Sequence, residues 1–409
     1  MSAKASAEQA TEARPVPVVQ APLWLLALIT FSGTMAMHVF VPALPQAAAE
    51  LGASAGSMQL TVSFYILGLA IGQLIYGPIS DHFGRRPVLI VGLVIYAIAG
   101  VAALLAPSVH TLVTARLFQA LGGCSGMVLG RAIVRDGAAT TSAAKRLALM
   151  NLMVTVGPGI APLIGTLLAD TAGWRSIFVA LCLLGIGNLL LAWQLLPETS
   201  GGAGQGVRTV LRNYLGLFGS RAFLGYAIGG GCATTAMYAY IGSAPFIFGE
   251  QLHRPSHEIG TYLALNILGL WLGSLTASRL AGRVSVRHLL LNSNLLSLLG
   301  ATVFLLAVLA GGLSVPLTLV TMAVYAFGVG LVGPAALAEA LSVKPLVAGS
   351  ASGLYGFSQM SVGAICTSLA GLGSNPALST AIVLSIAGLL SQTLFRIALP
   401  SQRQPLGRN

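Results

Sequence analysis

The chain has 409 residues, of which 56% are hydrophobic and 8% are charged, and its mean hydropathy is +0.86. Soluble globular domains carry roughly 25% charged residues, so this composition excludes a water-soluble protein. The 21 Lys and Arg residues outnumber the 10 Asp and Glu residues, which gives a formal net charge of +11. A surplus of this size suits a partner such as nucleic acid or anionic lipid, and the positions of the cations distinguish the two.

The cysteines predict neither a metal site nor a disulfide framework. Cys124, Cys182, Cys232 and Cys366 all lie in apolar stretches, without C-x-x-C spacing and without neighbouring His. Zinc sites and disulfide-rich domains need such spacings. We therefore expect small buried thiols, and neither a metal nor a cofactor.

Twelve apolar segments predict twelve transmembrane helices, which we number spans 1 to 12. A helix needs about 20 apolar residues to cross the hydrocarbon of a bilayer. The stretches 289 to 338 and 345 to 395 are long enough to hold two spans each, separated by turns that contain Gly and Pro. The predicted spans are residues 23 to 41, 59 to 79, 88 to 106, 112 to 132, 147 to 168, 176 to 196, 222 to 244, 259 to 279, 289 to 309, 317 to 337, 348 to 370 and 378 to 398. The expected fold class is all-α integral membrane.

The cations predict the orientation of these spans. If the N-terminus is cytoplasmic, Arg175 and Arg254 face outward, Arg116 lies inside span 4, and the other 18 of the 21 cations lie in or beside cytoplasmic segments. This asymmetry is the one that the positive-inside rule requires. It predicts a multi-pass protein of the inner (plasma) membrane with both termini cytoplasmic, with the lipid bilayer and no nucleic acid as partner. The cytoplasmic cations are Lys4, Arg14, Arg85, Arg86, Arg131, Arg135, Lys145, Arg146, Arg208, Arg212, Arg221, Arg279, Arg283, Arg287, Lys344, Arg396, Arg403 and Arg408.

A polar, Gly-rich stretch divides the chain into two halves of six spans. The expected organisation is a cytoplasmic tail (1 to 21), an N-terminal bundle (22 to 197), a cytoplasmic linker (198 to 219), a C-terminal bundle (220 to 398) and a second tail (399 to 409). A weak repeat supports this division, because Asp81 to Arg85 after span 2 corresponds to Arg279 to Arg283 after span 8. The alternative is chance similarity between two short basic loops. Parallel six-span halves are a known transporter plan, with the binding site between them.

The loop after span 2 reads Gly-Pro-Ile-Ser-Asp-His-Phe-Gly-Arg-Arg-Pro, from Gly77 to Pro87. It resembles the major facilitator superfamily signature G-x-x-x-D-x-x-G-R-R/K. The resemblance implies two pseudo-symmetric six-helix bundles and a conformational switch. In that family the carboxylate docks near the N-terminus of span 11 in the outward-facing state, where a helix dipole favours an anion. The alternative is a solvated basic loop that only sets topology. The expected switch residues are Gly77, Asp81, Gly84, Arg85 and Arg86.

Span 5 carries Gly157, Pro162 and Gly165, a pattern that resembles the antiporter motif of the proton-driven exporters of this family. Three glycines of that motif are replaced here, by Ala148, Ala161 and Thr166. Small residues at this spacing let helices approach closely. Two interpretations of the motif are therefore equally open: it sets the direction of transport, or it serves only as a packing face between helices.

Span 4 carries Arg116 and Gln119 in a segment similar to the family motif R-x-x-Q-G-x-G. An Arg at the bilayer centre costs roughly 2.5 to 3.5 kcal/mol on the insertion scale, so such residues face the bundle interior and serve function. The alternative is an Arg near the end of the span that extends to the interface.

Span 1 ends in Pro-Ala-Leu-Pro, residues 42 to 45, which is similar to the Bcr/CflA-like multidrug efflux branch of the family. Relatives in that branch usually have Asp four residues before the first of these prolines, where this chain has His38. An unperturbed His titrates near pH 6.5, so His38 is a candidate proton carrier beside Arg116 and Gln119. A neutral His hydrogen-bonded to a neighbouring helix is the equally open alternative.

The family resemblance also implies which side chains line a substrate cavity between the halves. The expected residues are Tyr65, Tyr238, Asn266, Tyr325 and Gln359. Aromatic side chains at helical spacing more often pack between helices than contact a ligand. An apolar pocket with few polar anchors and no fixed anion suits neutral or weakly polar amphiphiles better than dications.

The sequence thus predicts a secondary transporter, not an enzyme. The expected substrates of this monomeric protein are small hydrophobic or amphiphilic compounds, of the bicyclomycin or chloramphenicol type, exported by alternating access in exchange for protons. One alternative is a metabolite facilitator or uptake symporter on the same fold, because fold does not determine function. Another is an intramembrane enzyme or receptor, which clustered intramembrane carboxylates or His pairs would indicate.

Overall fold

The computed structural model describes residues 21–136, 140–199 and 207–399, and this part of the chain is helical without strands. It contains the twelve predicted spans. Their bounds are Leu23–Val39, Ala55–Phe83, Arg85–Leu104, Val109–Asp136, Thr140–Ala172, Arg175–Leu195, Arg221–Phe246 (in two pieces), Ser256–Leu280, Val286–Leu309, Val315–Ser342, Ala348–Ala370 and Pro376–Ala398. The predicted twelve-helix architecture is therefore confirmed.

Nine of the described helices are by themselves long and apolar enough to cross a membrane. Spans 5, 7 and 11 are the other three. Span 5 has an apolar segment at Val156–Ala172. Span 7 is interrupted between Thr234 and Met237 and continues after Phe246 as a π-helical turn, Ile247–Gln251. Span 11 is rich in Gly and Ser, which lowers its hydropathy.

The first span differs from its predicted range of 23 to 41. The regular helix ends at Val39, a 3-10 turn covers Val41–Ala43, and a separate helix continues from Leu44 to Leu51. Pro42 and Pro45 each stand in the first turn of one of these two segments, where the missing N–H of a proline costs no hydrogen bond. The prolines therefore allow the chain to bend without leaving a backbone N–H group that lacks a hydrogen bond.

Two bundles of six spans form the fold. Spans 1 to 6 pack mainly on one another, as do spans 7 to 12, while spans 2 and 11 and spans 5 and 8 join the bundles. Gly84 after span 2 and Gly282 after span 8 both have positive φ, +94° and +78°. This shared turn conformation strengthens the proposed internal repeat.

The linker predicted at 198 to 219 contains a helix, Val207–Phe218. Its Tyr214 hydroxyl donates a hydrogen bond to the Leu74 carbonyl of span 2, at 3.0 Å. Lys344 Nζ donates to the Gly216 carbonyl at 2.6 Å, so this helix contacts both bundles. The predicted tails lie outside the described residues, except for their first or last positions.

The two ends of the bundle differ in charge. We call the end that carries the loops after spans 2, 4, 6, 8 and 10 the basic end, because it holds 14 of the 17 described Lys and Arg residues. Arg175 and Arg254 lie at the opposite end, and Arg116 lies between the two. The eight described acids lie at the ends of helices or in loops, namely Glu50, Asp81, Asp136, Asp170, Glu198, Glu250, Glu258 and Glu339.

Candidate functional site

The two bundles are in close contact at the opposite end. Gln59 Nε2 of span 2 donates to Ser243 Oγ of span 7 at 3.1 Å. The backbones of spans 2 and 11 meet at Gly56 and Gly371, where a Cβ on Gly56 would lie 2.1 Å from the Gly371 carbonyl oxygen. We call this group (Gly56, Gln59, Ser243 and Gly371) the opposite-end seal. A second contact joins spans 5 and 8, where a Cβ on Gly260 would lie 2.8 Å from the Pro162 carbonyl oxygen.

At the basic end a cavity of about 620 Å³ separates the bundles. Spans 2 and 4 form one wall, spans 10 and 11 form the other, and the linker helix contributes Val210 and Tyr214. Spans 2 and 11 meet again further inside, where a Cβ on Gly353 would lie 3.1 Å from the Gln73 carbonyl oxygen. A cavity of about 490 Å³ also lies between the bundles at the opposite end, beside Pro42, Asp170 and Arg254. Each end therefore combines helix contacts between the bundles with a cavity. The charged residues that line the cavity at the basic end are Asp81, Arg85, Arg131 and Arg135.

The switch residues predicted after span 2 form an ion-pair cluster on this cavity. Arg85 Nη1 lies 2.5 Å from Asp81 Oδ1, and Arg85 Nε lies 3.0 Å from Asp136 Oδ2 at the end of span 4. Gly77 lines the same cavity. Gly349 and Ser350, in the first turn of span 11, stand on the facing wall. In this conformation Asp81 thus binds Arg85, and its docking on span 11 stays a prediction.

Glu198 completes this cluster and was not found from the sequence. Its carboxylate accepts hydrogen bonds from the backbone N–H groups of Arg85 and Arg86, at 2.9 and 3.2 Å. These are two of the N–H groups that the start of span 3 leaves without a helical partner. Gly84 is required here, since its φ is +94° and a Cβ would lie 2.7 Å from Glu198 Oε2. Arg86 also donates to the Trp193 carbonyl at 2.7 Å.

Arg116 lies deep inside the N-terminal bundle with no exposed surface. Its Nη1 donates to Gln119 Oε1 at 2.7 Å, and its guanidinium lies 4.1 Å from the centroid of the Tyr65 ring. The rings of Phe40 and Phe178 lie 5.6 and 5.9 Å away. Among the described residues, Nε and Nη2 have no hydrogen-bond partner and no acid pairs with the guanidinium. The side chain therefore does not extend to the interface.

His38 lies where the two bundles meet. Its Nδ1 is 3.0 Å from the Thr34 carbonyl oxygen, and because a carbonyl only accepts, Nδ1 carries the proton of the neutral ring. Nε2 is then the acceptor nitrogen. The His38 ring lies 6.2 Å from the ring of Tyr238 in span 7, centroid to centroid. Of the predicted lining residues, Tyr238 is the one placed opposite His38.

The other predicted lining residues use their polar atoms in helix packing. Tyr65 donates to the Gly33 carbonyl at 2.8 Å, and Asn266 donates to the Met322 carbonyl at 3.0 Å. Gln359 Nε2 donates to Thr234 Oγ1 at 2.8 Å, beside the interruption of span 7. Tyr325 is buried in the C-terminal bundle. The structure does not bring these four side chains to one pocket, so their contact with substrate stays a prediction.

The span 5 motif packs on span 1, on both sides of His38 along that helix. A Cβ on Gly157 would lie 2.8 Å from Thr34 Oγ1, and one on Gly165 would lie 1.8 Å from the Val39 carbonyl oxygen. The two glycines thus let spans 1 and 5 approach closely on both sides of His38. Pro162 faces span 8, as described above.

A family model described as Major Facilitator Superfamily matches residues 26–367. The chain belongs to the major facilitator superfamily. This assignment confirms the resemblance found in the loop after span 2, and it identifies the chain as a multi-pass membrane protein of a transporter family.

Relatives of this major facilitator protein cover most of its length. Multidrug resistance protein D of Escherichia coli (strain K12) is 32% identical over 337 residues, which are 82% of this chain and 84% of that protein. The uncharacterized MFS-type transporter YdgK of Bacillus subtilis (strain 168) is 29% identical over 91% of this chain and 94% of its own. A bicyclomycin resistance protein homolog of Haemophilus influenzae is 26% identical over 84% and 87%. These names agree with the drug-efflux branch that span 1 resembles.

A solved D-xylose-proton symporter has the same fold, with a TM-score of 0.72 at 15% identity, covering 90% of this chain and 96% of the symporter. Identity at this level establishes the architecture alone. The major facilitator arrangement of two six-span bundles therefore rests on both sequence and structure.

Proposed function

We propose that this protein is a secondary active transporter that exports small hydrophobic or amphiphilic compounds by alternating access, in exchange for protons. The observation that carries the proposal is the arrangement of the two bundles, which contact each other through the opposite-end seal and face each other across a cavity at each end. Such an arrangement suits a carrier whose bundles move relative to each other. Relatives named for multidrug and bicyclomycin resistance support a drug-like substrate class.

The proposed orientation places the basic end in the cytoplasm. The excess of Lys and Arg at that end follows the positive-inside rule. Both termini are then cytoplasmic, the membrane is the inner (plasma) membrane, and the described conformation is inward-facing. The unit of transport is one chain, in which the linker 198 to 219 lets the bundles 22 to 197 and 220 to 398 move relative to each other. The tails 1 to 21 and 399 to 409 stay outside the membrane.

His38 is the proposed proton carrier. It lies between the bundles with Nε2 as an acceptor, and the described acids lie outside the membrane interior. A proton gained in the outward-facing state places a second positive charge near Arg116, which acts on His38 electrostatically. Repulsion between the two cations then favours release of the proton in the inward-facing state. In this cycle Arg116 supplies the fixed positive charge, and Gln119 holds its guanidinium group through a hydrogen bond.

The same cycle gives the predicted motifs their proposed roles. Asp81, Gly84 and Arg85 switch between the observed cluster and docking on span 11. Gly157, Pro162 and Gly165 keep span 5 close to spans 1 and 8 as the bundles rotate. Tyr65, Tyr238, Asn266, Tyr325 and Gln359 are proposed to contact substrate during the cycle.

Everted membrane vesicles test the proposal. Efflux substrates should accumulate in vesicles that contain the protein when a pH gradient is imposed, and accumulation should stop when the gradient is collapsed. Vesicles without the protein are the control. Flux that is independent of the gradient would contradict proton antiport and favour a facilitator.

A metabolite facilitator or uptake symporter is the second candidate. The observation in its favour is that the described helices contain no acid in the membrane interior to exchange a proton at the position of His38. Equal rates of entry and exit, or uptake that rises with an inward pH gradient, would support it. An enzymatic role is not proposed, because the family consists of transporters.

A further inference from the structure

The cavity at the basic end has an unbalanced charge. Its lining includes three arginines, Arg85, Arg131 and Arg135, and one acid, Asp81. Asp81 is held by Arg85, which also binds Asp136. Asp81 and Asp136 thus share one arginine, and the two arginines on span 4 more than balance the remaining negative charge, so that three arginines against two acids leave one net positive charge.

Arg131 and Arg135 supply the net positive charge of this cavity. Among the described residues, Arg131 has neither an ion pair nor a hydrogen bond, and Arg135 is 4.0 Å from Asp136, the limit of an ion pair. The two residues are four positions apart on one helix, so they lie on the same face of span 4.

The acids nearest to this end are already engaged. Glu198 binds the N-terminus of span 3, and Glu339 interacts with Tyr226 inside the C-terminal bundle. Neither lines the cavity. Glu198 and Glu339 therefore add no negative charge to the cavity lining.

The facing wall adds positive potential of a different origin. Gly349, Ser350 and Gly353 belong to the first two turns of span 11, whose N-terminus points its free N–H groups at this end. Such a terminus carries about half a positive charge. Two serine hydroxyls, on Ser350 and Ser352, provide hydrogen-bond donors beside it.

Further inside, the fixed charge is again positive. Arg116 is the one described Lys or Arg within the membrane interior, and no described acid accompanies it. A cation that moved between this cavity and the region of His38 during the transport cycle would meet like charge at both places. An anion would be attracted at both places, because clefts lined by one sign of charge concentrate the opposite ion.

We infer that this carrier selects amphiphilic monoanions, such as hydrophobic carboxylates, over neutral compounds of the same shape, and excludes lipophilic cations. The inference deepens the proposed export function and rests on the basic end being the cytoplasmic entrance. An apolar body suits a pocket with few polar anchors, and the anionic group suits the span 4 arginines and the start of span 11.

A matched ligand series tests the charge preference. Three probes share one arylalkyl scaffold and end in a carboxylate, a carboxamide or an ammonium group. Binding is measured by calorimetry on the purified full-length protein in phosphatidylcholine nanodiscs, which removes anionic lipid as a competitor. The carboxylate should bind best and the ammonium worst. Raising the ionic strength should weaken only the carboxylate, because salt shortens the Debye length to about 8 Å at 0.15 M.

Two variants locate the preference. Arg131→Gln and Arg135→Gln should each weaken carboxylate binding by about tenfold, the lower end of the enrichment that charged clefts give. Carboxamide binding should not change, and it reports that each variant is folded. Arg283→Gln is the matched control, since Arg283 is exposed at the same end but does not line the cavity.

Two results would overturn the inference: the ammonium probe binds as well as the carboxylate, or both span 4 variants bind all three probes like the parent. Everted vesicles loaded with the same probes separate this result from the proposed function. If the neutral probe is exported and the three probes do not differ, the export function is supported and the charge preference is contradicted. If the carboxylate binds best but no probe moves with the gradient, the charge preference is supported and the export function is contradicted.

Discussion

His38 is the titratable side chain that the structure places between the two bundles, within 6.2 Å of Tyr238. If it carries the coupled proton, His38→Ala should abolish accumulation driven by a pH gradient while substrate binding in detergent changes little. Transport in proteoliposomes measures the first effect, over a range of pH 5.5 to 8 that brackets the titration of an ordinary His. Calorimetry measures the second effect. His38→Asp should restore coupling, because a carboxylate also exchanges a proton.

Tyr238→Phe is a matched control, since it keeps the ring beside His38 and removes only the hydroxyl. A His38→Ala protein whose transport keeps the parental pH dependence would refute the proton-carrier role. His38 and Arg116 could be singled out from the sequence because each is a polar side chain inside an apolar span. Their contacts could not be predicted, because these depend on which helices lie beside them.

Glu198 caps the N-terminus of span 3, where it accepts a hydrogen bond from the backbone N–H of Arg86, 112 positions earlier in the chain. Glu198→Gln keeps the shape but removes the charge, so span 3 should lose the stabilisation that an anion gives to a helix N-terminus. Such effects are worth about 0.5 to 2 kcal/mol. Thermal unfolding in detergent should show a lower midpoint than for the parent.

Glu250→Gln is the control for Glu198→Gln, because Glu250 is exposed at the opposite end. An unchanged midpoint for Glu198→Gln would show that the cap adds no stability. No pattern in the sequence links Glu198 to Arg85, since the contact depends on how spans 3 and 6 pack. The bounds of the spans could be predicted better than this contact, because the hydropathy of each segment determines them locally.

Helix packing at the opposite-end seal gives a second prediction at the scale of elements. Gly56→Ala would place a methyl group about 2.1 Å from the Gly371 carbonyl oxygen, so spans 2 and 11 must separate. The population should shift toward a state that is open at the opposite end. Spin labels at Leu105 and Leu372, 71% and 81% exposed at that end on different bundles, should report longer distances.

Gly187→Ala in span 6 is the control for Gly56→Ala, since a Cβ on Gly187 meets nothing within 4 Å. An identical distance distribution for Gly56→Ala and the parent would contradict the role of the seal. This contact could not be predicted from sequence, because glycines are abundant in the chain and only the packed structure shows which pair meets. The break in span 7 at Thr235 and Ala236 was missed for a similar reason, since neither residue is a Gly or Pro.

At the scale of the whole molecule, Asp81 is proposed to balance two arrangements of the bundles. Asp81→Asn removes the carboxylate that binds Arg85 here and that we propose docks on span 11 in the outward-facing state. The inward-facing population should rise, because Arg85 retains Asp136 while the docked state loses its anion. The same spin-label pair, Leu105 and Leu372, should report more of the short distances. Ligand charge preference should not change, and an unshifted distribution would argue against the switch.

Composition, cation asymmetry and the motif after span 2 predicted the overall architecture, because hydropathy, charge and short motifs can all be read directly from the sequence. The contacts between the bundles, such as those of the opposite-end seal, depend on how the two bundles pack. They could not be predicted from the sequence, because the same residues are compatible with more than one arrangement.

The distribution of charge along the membrane normal has an electrical consequence. The interior of the described protein holds Arg116 and no acid, so a bound monoanion crosses with its charge uncompensated by a mobile protein group. In a cell whose interior is negative, each 100 mV contributes about 2.3 kcal/mol per elementary charge to the export of such an anion. Entry of one proton adds a similar amount. A carrier that exported a monoanion in exchange for a proton would therefore move two charges in each cycle, and the membrane potential would drive both movements.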